Sequence, residues 1–140
     1  MITLTLPVPP SSNRLWRSAK GRTYKAPAYT DWLSEAYGRI AAARAADQVP
    51  YRFTVRIVMP KTRTDLDNAI KPILDCLQRS GVVVDDRYCV EVTACRDETR
   101  DPDTVAVEVT PLPDPMPKAL ARRREKAGLL WKMAVPVAPL

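Results

Sequence analysis

The stretch from Thr64 to Arg87, TDLDNAIKPILDCLQRSGVVVDDR, leaves this chain few ways to fold. Ile70, Ile73, Leu74 and Leu77 follow the three-and-four rhythm of an amphipathic helix, which predicts one over Asn68–Arg79. Pro72 falls about one turn in, where its missing N–H would kink the helix mildly. Gly81 is a natural C-terminal stop, and residues 82–84 form a short valine strand or turn. Carboxylates bracket the unit: Asp65 and Asp67 before it, Asp85 and Asp86 after it. Acids at both ends of a short helix–strand unit can converge on one point. In a chain without histidine, converging carboxylates suit a hard divalent cation.

Strands surround that unit. Residues 2–6 (ITLTL) alternate with the period of a half-buried strand, and Pro7, Pro9 and Pro10 end it. Residues 51–59 alternate again, with Tyr51, Phe53, Val55 and Ile57 on one face. Residues 28–46 read as a helix capped by Thr30 or Asp31, with Trp32, Ala36 and Ile40 as its core stripe. Two further strands, 88–96 and 104–110, are joined by the acidic loop 97–103 and are expected to pair as a hairpin. The fold class is α+β: one domain in which a small mixed β-sheet packs against two helices, in the order β-α-β-α-β-β. That domain is assigned to residues 1–113. Beyond it, PLPDPMP is a stiff linker, and residues 114–140 form a basic C-terminal tail with a possible helix over Lys118–Met133.

Charge placement says more than the net +6. Residues 1–30 hold five bases (Arg14, Arg17, Lys20, Arg22, Lys25) and no acid, whereas residues 31–113 hold eleven bases against fourteen acids. A basic arm, an acidic centre and a basic tail fit a polyanion brought to a metal-loaded pocket. Cys76, Cys89 and Cys95 lack CxxC spacing, which argues against zinc and against a disulfide framework. No apolar run reaches the roughly 18 residues that span a bilayer, so a cytoplasmic protein without a membrane partner is expected.

The chemistry open to this pattern is phosphodiester hydrolysis. Carboxylates alone repel phosphate; with Mg²⁺ (or Mn²⁺) between them they activate water and clamp phosphate oxygens. Asp65 and Asp67 stand at a strand-to-helix junction. Lys71, four residues past Asp67, shares its helical face and can neutralise a scissile phosphate or hold the attacking water. The third acid is Asp85 or Asp86. Each piece has an ordinary alternative: Asp-x-Asp as a helix cap and dipole complement, Lys71 in a surface ion pair, Asp85-Asp86 as turn chemistry. Their combination is what points to a metal site. DNA contacts are expected from Asn13, Arg14, Trp16, Arg17, Lys20, Arg22 and Lys25 in a polar loop, with Trp16 or Tyr24 stacking on an unpaired or distorted base; the ordinary alternative is a surface loop in which Trp16 tucks into the core. Lys61 and Arg63, just before the acids, extend that surface.

DLDNAIKPILDCL followed by GVVVDD, with LPVPPSSNRLWR near the N-terminus, resembles the RusA family of Holliday-junction resolvases, common in phages and prophages. The likeness covers roughly residues 1–110. It implies a Mg²⁺- or Mn²⁺-dependent endonuclease that cuts four-way junctions symmetrically in DNA recombination and repair. Carried over by motif position, Asp65, Asp67 and Asp86 are the metal-binding catalytic acids and Lys71 the catalytic lysine; Asp85 remains open as an alternative ligand to Asp86. Two equivalent nicks in a pseudo-twofold junction match a C2 homodimer, with the Asn68–Arg79 helix or the adjoining strand as its interface. Two rivals stand beside this reading: a nuclease for flaps or forks, and a DNA-binding relative without catalysis.

Overall fold

The computed structural model describes residues 1–11, 16–43, 48–113, 115–123 and 125–126. Four strands make the main sheet: β1 (Ile2–Pro7), β4 (Phe53–Met59), β5 (Cys89–Arg96) and β6 (Thr104–Pro111), in the order β1-β6-β4-β5. β6 runs antiparallel to both β1 and β4, while β5 is parallel to β4. Two helices, α1 (Pro27–Ala43) and α2 (Leu66–Arg79), cover one face. The α+β class and the single small mixed sheet therefore agree with the sequence.

Alternation does the sorting. Phe53, Val55, Ile57 and Met59 of β4, Val105, Val107 and Val109 of β6, and Leu4 and Leu6 of β1 are buried. They meet Tyr29, Trp32, Leu33, Ala36 and Ile40 of α1 and Ala69, Ile73, Cys76 and Leu77 of α2. The opposite sheet face is polar, with exposed Thr3, Thr5 and Thr93 and an Arg56–Glu108 ion pair at 3.9 Å. Trp32 donates its indole N–H to the Pro7 carbonyl at 2.8 Å, fastening α1 to the end of β1. A buried Trp body with a satisfied N–H is the low-cost way to use this residue.

Three expectations are corrected. The helix expected to start at a Thr30 or Asp31 cap starts at Pro27, and the Thr30 N–H already bonds back to the Ala26 carbonyl. Proline tolerates the first helical position because its absent N–H would be unpaired there anyway. Residues 88–96 and 104–110 are strands, but they do not form a hairpin, because β4 lies between them. The β4–α2–β5 crossover sets β5 parallel beside β4, as a helical connection allows. Loop 97–103 then passes over the end of β4, where the Asp97 N–H bonds to the Met59 carbonyl at 2.8 Å and the Val8 N–H to the Asp103 carbonyl at 3.3 Å. Finally, part of the expected polar loop is a hairpin, β2 (Trp16–Ala19) with β3 (Arg22–Lys25). Its turn residues Lys20 and Gly21 have φ of 50° and 75°, the left-handed pair that matches strand twist in a two-residue turn.

The valine run is mostly turn, with Val83 making a single parallel bridge to Val49. Pro72 is accommodated inside α2, and Gly81 follows the helix with φ of 79°. Residues 118–123 and 125–126 are helical; the rest of the expected tail helix lies outside the described residues. Among the described residues no helix is long and apolar enough to cross a membrane.

Candidate active site

β4 delivers the first acidic pair. Its end at Met59 leads through residues 60–64 to Asp65, the N-cap residue of α2, with an extended backbone (φ −67°, ψ 150°) and no side-chain capping bond. Its carboxylate is thus not spent on the helix end, although Asp is among the preferred N-caps. Asp67 sits in the first turn and Lys71 one turn later; all three side chains are exposed. An open cleft of about 540 Å³ lies at this end of α2, lined by Pro10, Ser11, Ala28, Arg63, Thr64, Asp65 and Asn68. The loop itself is held from β5. Arg96 donates from Nη1 to the Pro60 and Thr62 carbonyls (2.7 and 3.3 Å) and from Nη2 to the Thr64 carbonyl (2.9 Å).

The second acidic pair stands at the other end of α2. The Asp86 N–H bonds to Gln78 Oε1 at 2.9 Å, and from Asp67 to Gln78 the helix rises about 16 Å at ~1.5 Å per residue. Within one chain the two pairs do not meet. Among the described residues no three acids or cysteines form a group able to hold a metal ion. The expected convergence overlooked the length of the intervening helix, which acts as a rigid spacer.

The two acids of the second pair differ. Asp85 accepts the Arg87 backbone N–H at 2.9 Å and the Arg87 guanidinium from Nε and Nη2 at 2.9 and 2.8 Å. Asp86 opens the short 3-10 turn Asp86–Tyr88. Partial burial, then the charges of Asp85 and Asp75 and a side-chain hydrogen bond with Asp85, push its carboxyl above the usual range, with Arg87 opposing. Asp75 projects from α2 towards α1, where the Tyr29 hydroxyl donates to its Oδ2 at 3.5 Å. Burial, and secondly the Asp75 charge, push Tyr29 up to about 12.

The basic hairpin grows from the rim of the cleft, since Ser11 precedes it, Ala28 follows it and both line that cleft. Trp16 is 45% exposed and pairs across the ladder with Lys25, a half-buried residue. Lys20 and Arg22 are exposed at the tip, and Lys61 and Arg63 are exposed beside the acidic motif. Arg17 is placed on β2. Asn13 and Arg14 lie outside the described residues.

A family model described as endodeoxyribonuclease RusA matches residues 7–110. The chain belongs to the RusA family. A crossover junction endodeoxyribonuclease RusA of Aquifex aeolicus (strain VF5) is 29% identical over 113 residues, 79% of this chain and 89% of the relative. Its namesake in Escherichia coli (strain K12) is 34% identical over 96 residues, 64% and 77% of the two chains. That of Enterobacteria phage 82 is 35% identical over 95 residues, covering 63% and 76%. The RusA match spans both acidic pairs, the hairpin and the cleft, and stops short of the basic tail.

The crowding of Asp86 has a measurable consequence. Its folded pKa is raised, so its contribution to stability is fully present below the unfolded value and is lost as pH rises through the folded value. Asp86→Asn without added metal should therefore melt at or slightly above wild type near neutral pH, the gap closing towards about pH 4. The effect is small because the group is only partly buried. Melting clearly below wild type at neutral pH would contradict this reading of Asp86.

Proposed function

We propose that this chain is a divalent-metal-dependent endodeoxyribonuclease that resolves four-way DNA junctions by paired, symmetric nicks. The observation that carries the reading is the RusA match over residues 7–110, which includes both acidic pairs and the cleft at Asp65. Asp65, Asp67 and Asp86 would hold Mg²⁺ or Mn²⁺, since these hard carboxylate oxygens suit such ions. Asp86 is favoured over Asp85 because Asp85 is already paired with Arg87. The bound cation supplies Lewis acidity and lowers the pKa of water. Lys71, exposed on the Asp67 side of α2, offers a positive charge to the scissile phosphate.

One chain keeps these acids apart, so the reading includes a homodimer. Two copies related by a twofold axis, with their α2 helices antiparallel, set Asp65 and Asp67 of one copy beside Asp86 of the other. The same axis matches the symmetry of a four-way junction. Residues 1–113 form the nuclease domain in this proposal, with 114–140 appended, since the match ends at residue 110. The setting is the cytoplasm of a bacterium or a phage-infected cell, in recombination or repair.

The hairpin is the DNA arm. Lys20 and Arg22 bind phosphates at the branch and Trp16 stacks on a base loosened by the junction. Lys20→Ala combined with Arg22→Ala should weaken junction binding and reduce the slope of log K against log salt by about two. Both side chains are exposed, so the melting temperature should hold; an unchanged slope would remove the hairpin from the interface. The function itself is tested on a panel of four-way junctions, flaps, forks and linear duplex with Mg²⁺. Paired nicks at symmetric positions in the junction support a resolvase, whereas preferential cutting of flaps or forks would reassign the substrate.

A further inference from the structure

From the three hydrogen bonds that Arg96 gives to alternate carbonyls of the β4–α2 loop, we infer that Arg96 is the positioning residue of the acidic motif. The inference rests on the metal-nuclease reading above. Arg96 is the last residue of β5 and lies opposite Met59 in the parallel ladder. From there its side chain reaches across the end of β4 to the carbonyls of Pro60, Thr62 and Thr64. These residues immediately precede Asp65.

Asp65 makes no capping bond, so its carboxylate is aimed by the backbone that carries it. Within the loop the Thr64 N–H reaches Thr62 Oγ1 only at 3.5 Å, at the weak limit for a hydrogen bond. The guanidinium presents a planar fork of five donors, and residues 60, 62 and 64 turn their carbonyls onto two of its nitrogens. Alternate carbonyls converging on one rigid cation fix several backbone dihedrals at once. The next turn then starts with Asp65 in the cleft and Asp67 on the helix face. Arg96 touches none of the reacting atoms in this scheme. It acts on the metal through the loop, as supporting hydrogen bonds around ligating carboxylates do.

Lysine at this position carries the charge but not the fork, so it restores the loop only in part. The test compares wild type with Arg96→Lys and Arg96→Gln in three measurements on the full chain: amide hydrogen exchange, direct Mn²⁺ binding, and junction cleavage titrated with Mg²⁺. In Arg96→Gln the amides of residues 61–65 should exchange faster while those of β4 and β6 stay protected. Mn²⁺ affinity should fall and half-saturating Mg²⁺ should rise about tenfold or more, with junction affinity in the absence of metal unchanged. Arg96→Lys should fall between the two. Unchanged loop exchange in a folded variant would overturn the clamp. Faster exchange with an unchanged Mn²⁺ affinity and Mg²⁺ midpoint would reduce Arg96 to a structural role and overturn the inference. If wild type neither bound metal nor cut DNA, the nuclease reading would fail separately, and this inference with it, whatever the loop exchange showed.

Discussion

Asp67→Asn should abolish junction cleavage while leaving junction binding intact or tighter. Asp67 is exposed in the first turn of α2, so the substitution removes no packed atoms. The structural loss is its favourable contact with the helix N-terminus, about 0.3–1 kcal/mol. The catalytic loss is far larger. A metal ligand that supports several kcal/mol of transition-state charge stabilisation corresponds to a fall of about 10³-fold or more, at ~1.4 kcal/mol per factor of ten. Binding should survive because a neutral amide repels phosphate less than a carboxylate does. Single-turnover cleavage and gel-shift titrations on the same junction separate the two effects. Cleavage within a few-fold of wild type would remove Asp67 from the site, and parallel loss of binding and folding would make it a structural acid.

The second large effect comes from mixing two dead proteins. Asp67→Asn and Asp86→Asn should each be inactive alone. If a site draws Asp65 and Asp67 from one copy and Asp86 from the other, a mixed dimer has one doubly damaged site and one intact site. Co-refolded or co-expressed variants should therefore regain cleavage, as single nicks in one strand rather than paired resolution. If each chain built its own site, both sites of the mixed dimer would stay damaged and no activity would return. The expectation follows from the spacer length: α2 rises about 16 Å from Asp67 to Gln78, the residue whose side chain accepts the Asp86 N–H. A sedimentation measurement belongs beside the assay, because a monomeric protein at working concentration would also give no complementation.

Much of the secondary structure was legible from periodicity. The 2–6 and 51–59 alternations became β1 and β4, and the Trp32–Ala36–Ile40 stripe became the buried face of α1. Those patterns are local, and burial follows them directly. The Trp16–Lys25 hairpin was missed because its turn places a lysine at positive φ. A lysine carries no side-chain signal for that conformation, unlike the Asn-Gly or Asp-Gly pairs that usually announce it. Arg96 was missed as well. Its three acceptors lie 32–36 residues earlier in the chain, and nothing around residue 96 points to them. Asp75 had a fainter signal: it stands four residues after Lys71 and eight after Asp67, on the same side of α2.

The chain's own order of residues determined the unit that matters: two acidic pairs bracketing an amphipathic helix, flanked by alternating strands, with an acid-free basic stretch in residues 1–30 ahead of it. Those features depend on neighbours a few positions apart, and they survive any choice of strand pairing. Tertiary structure decided the rest. It inserted β6 between β1 and β4 instead of beside β5, because a helical crossover makes β5 parallel and commits that edge of β4. It opened the cleft where Ser11, Ala28 and Asp65 meet, and it brought Arg96 onto the loop before Asp65. It also held the two acidic pairs at opposite ends of α2. A helix is a rod of fixed rise per residue, and only its packing says what a second copy can bring to its other end.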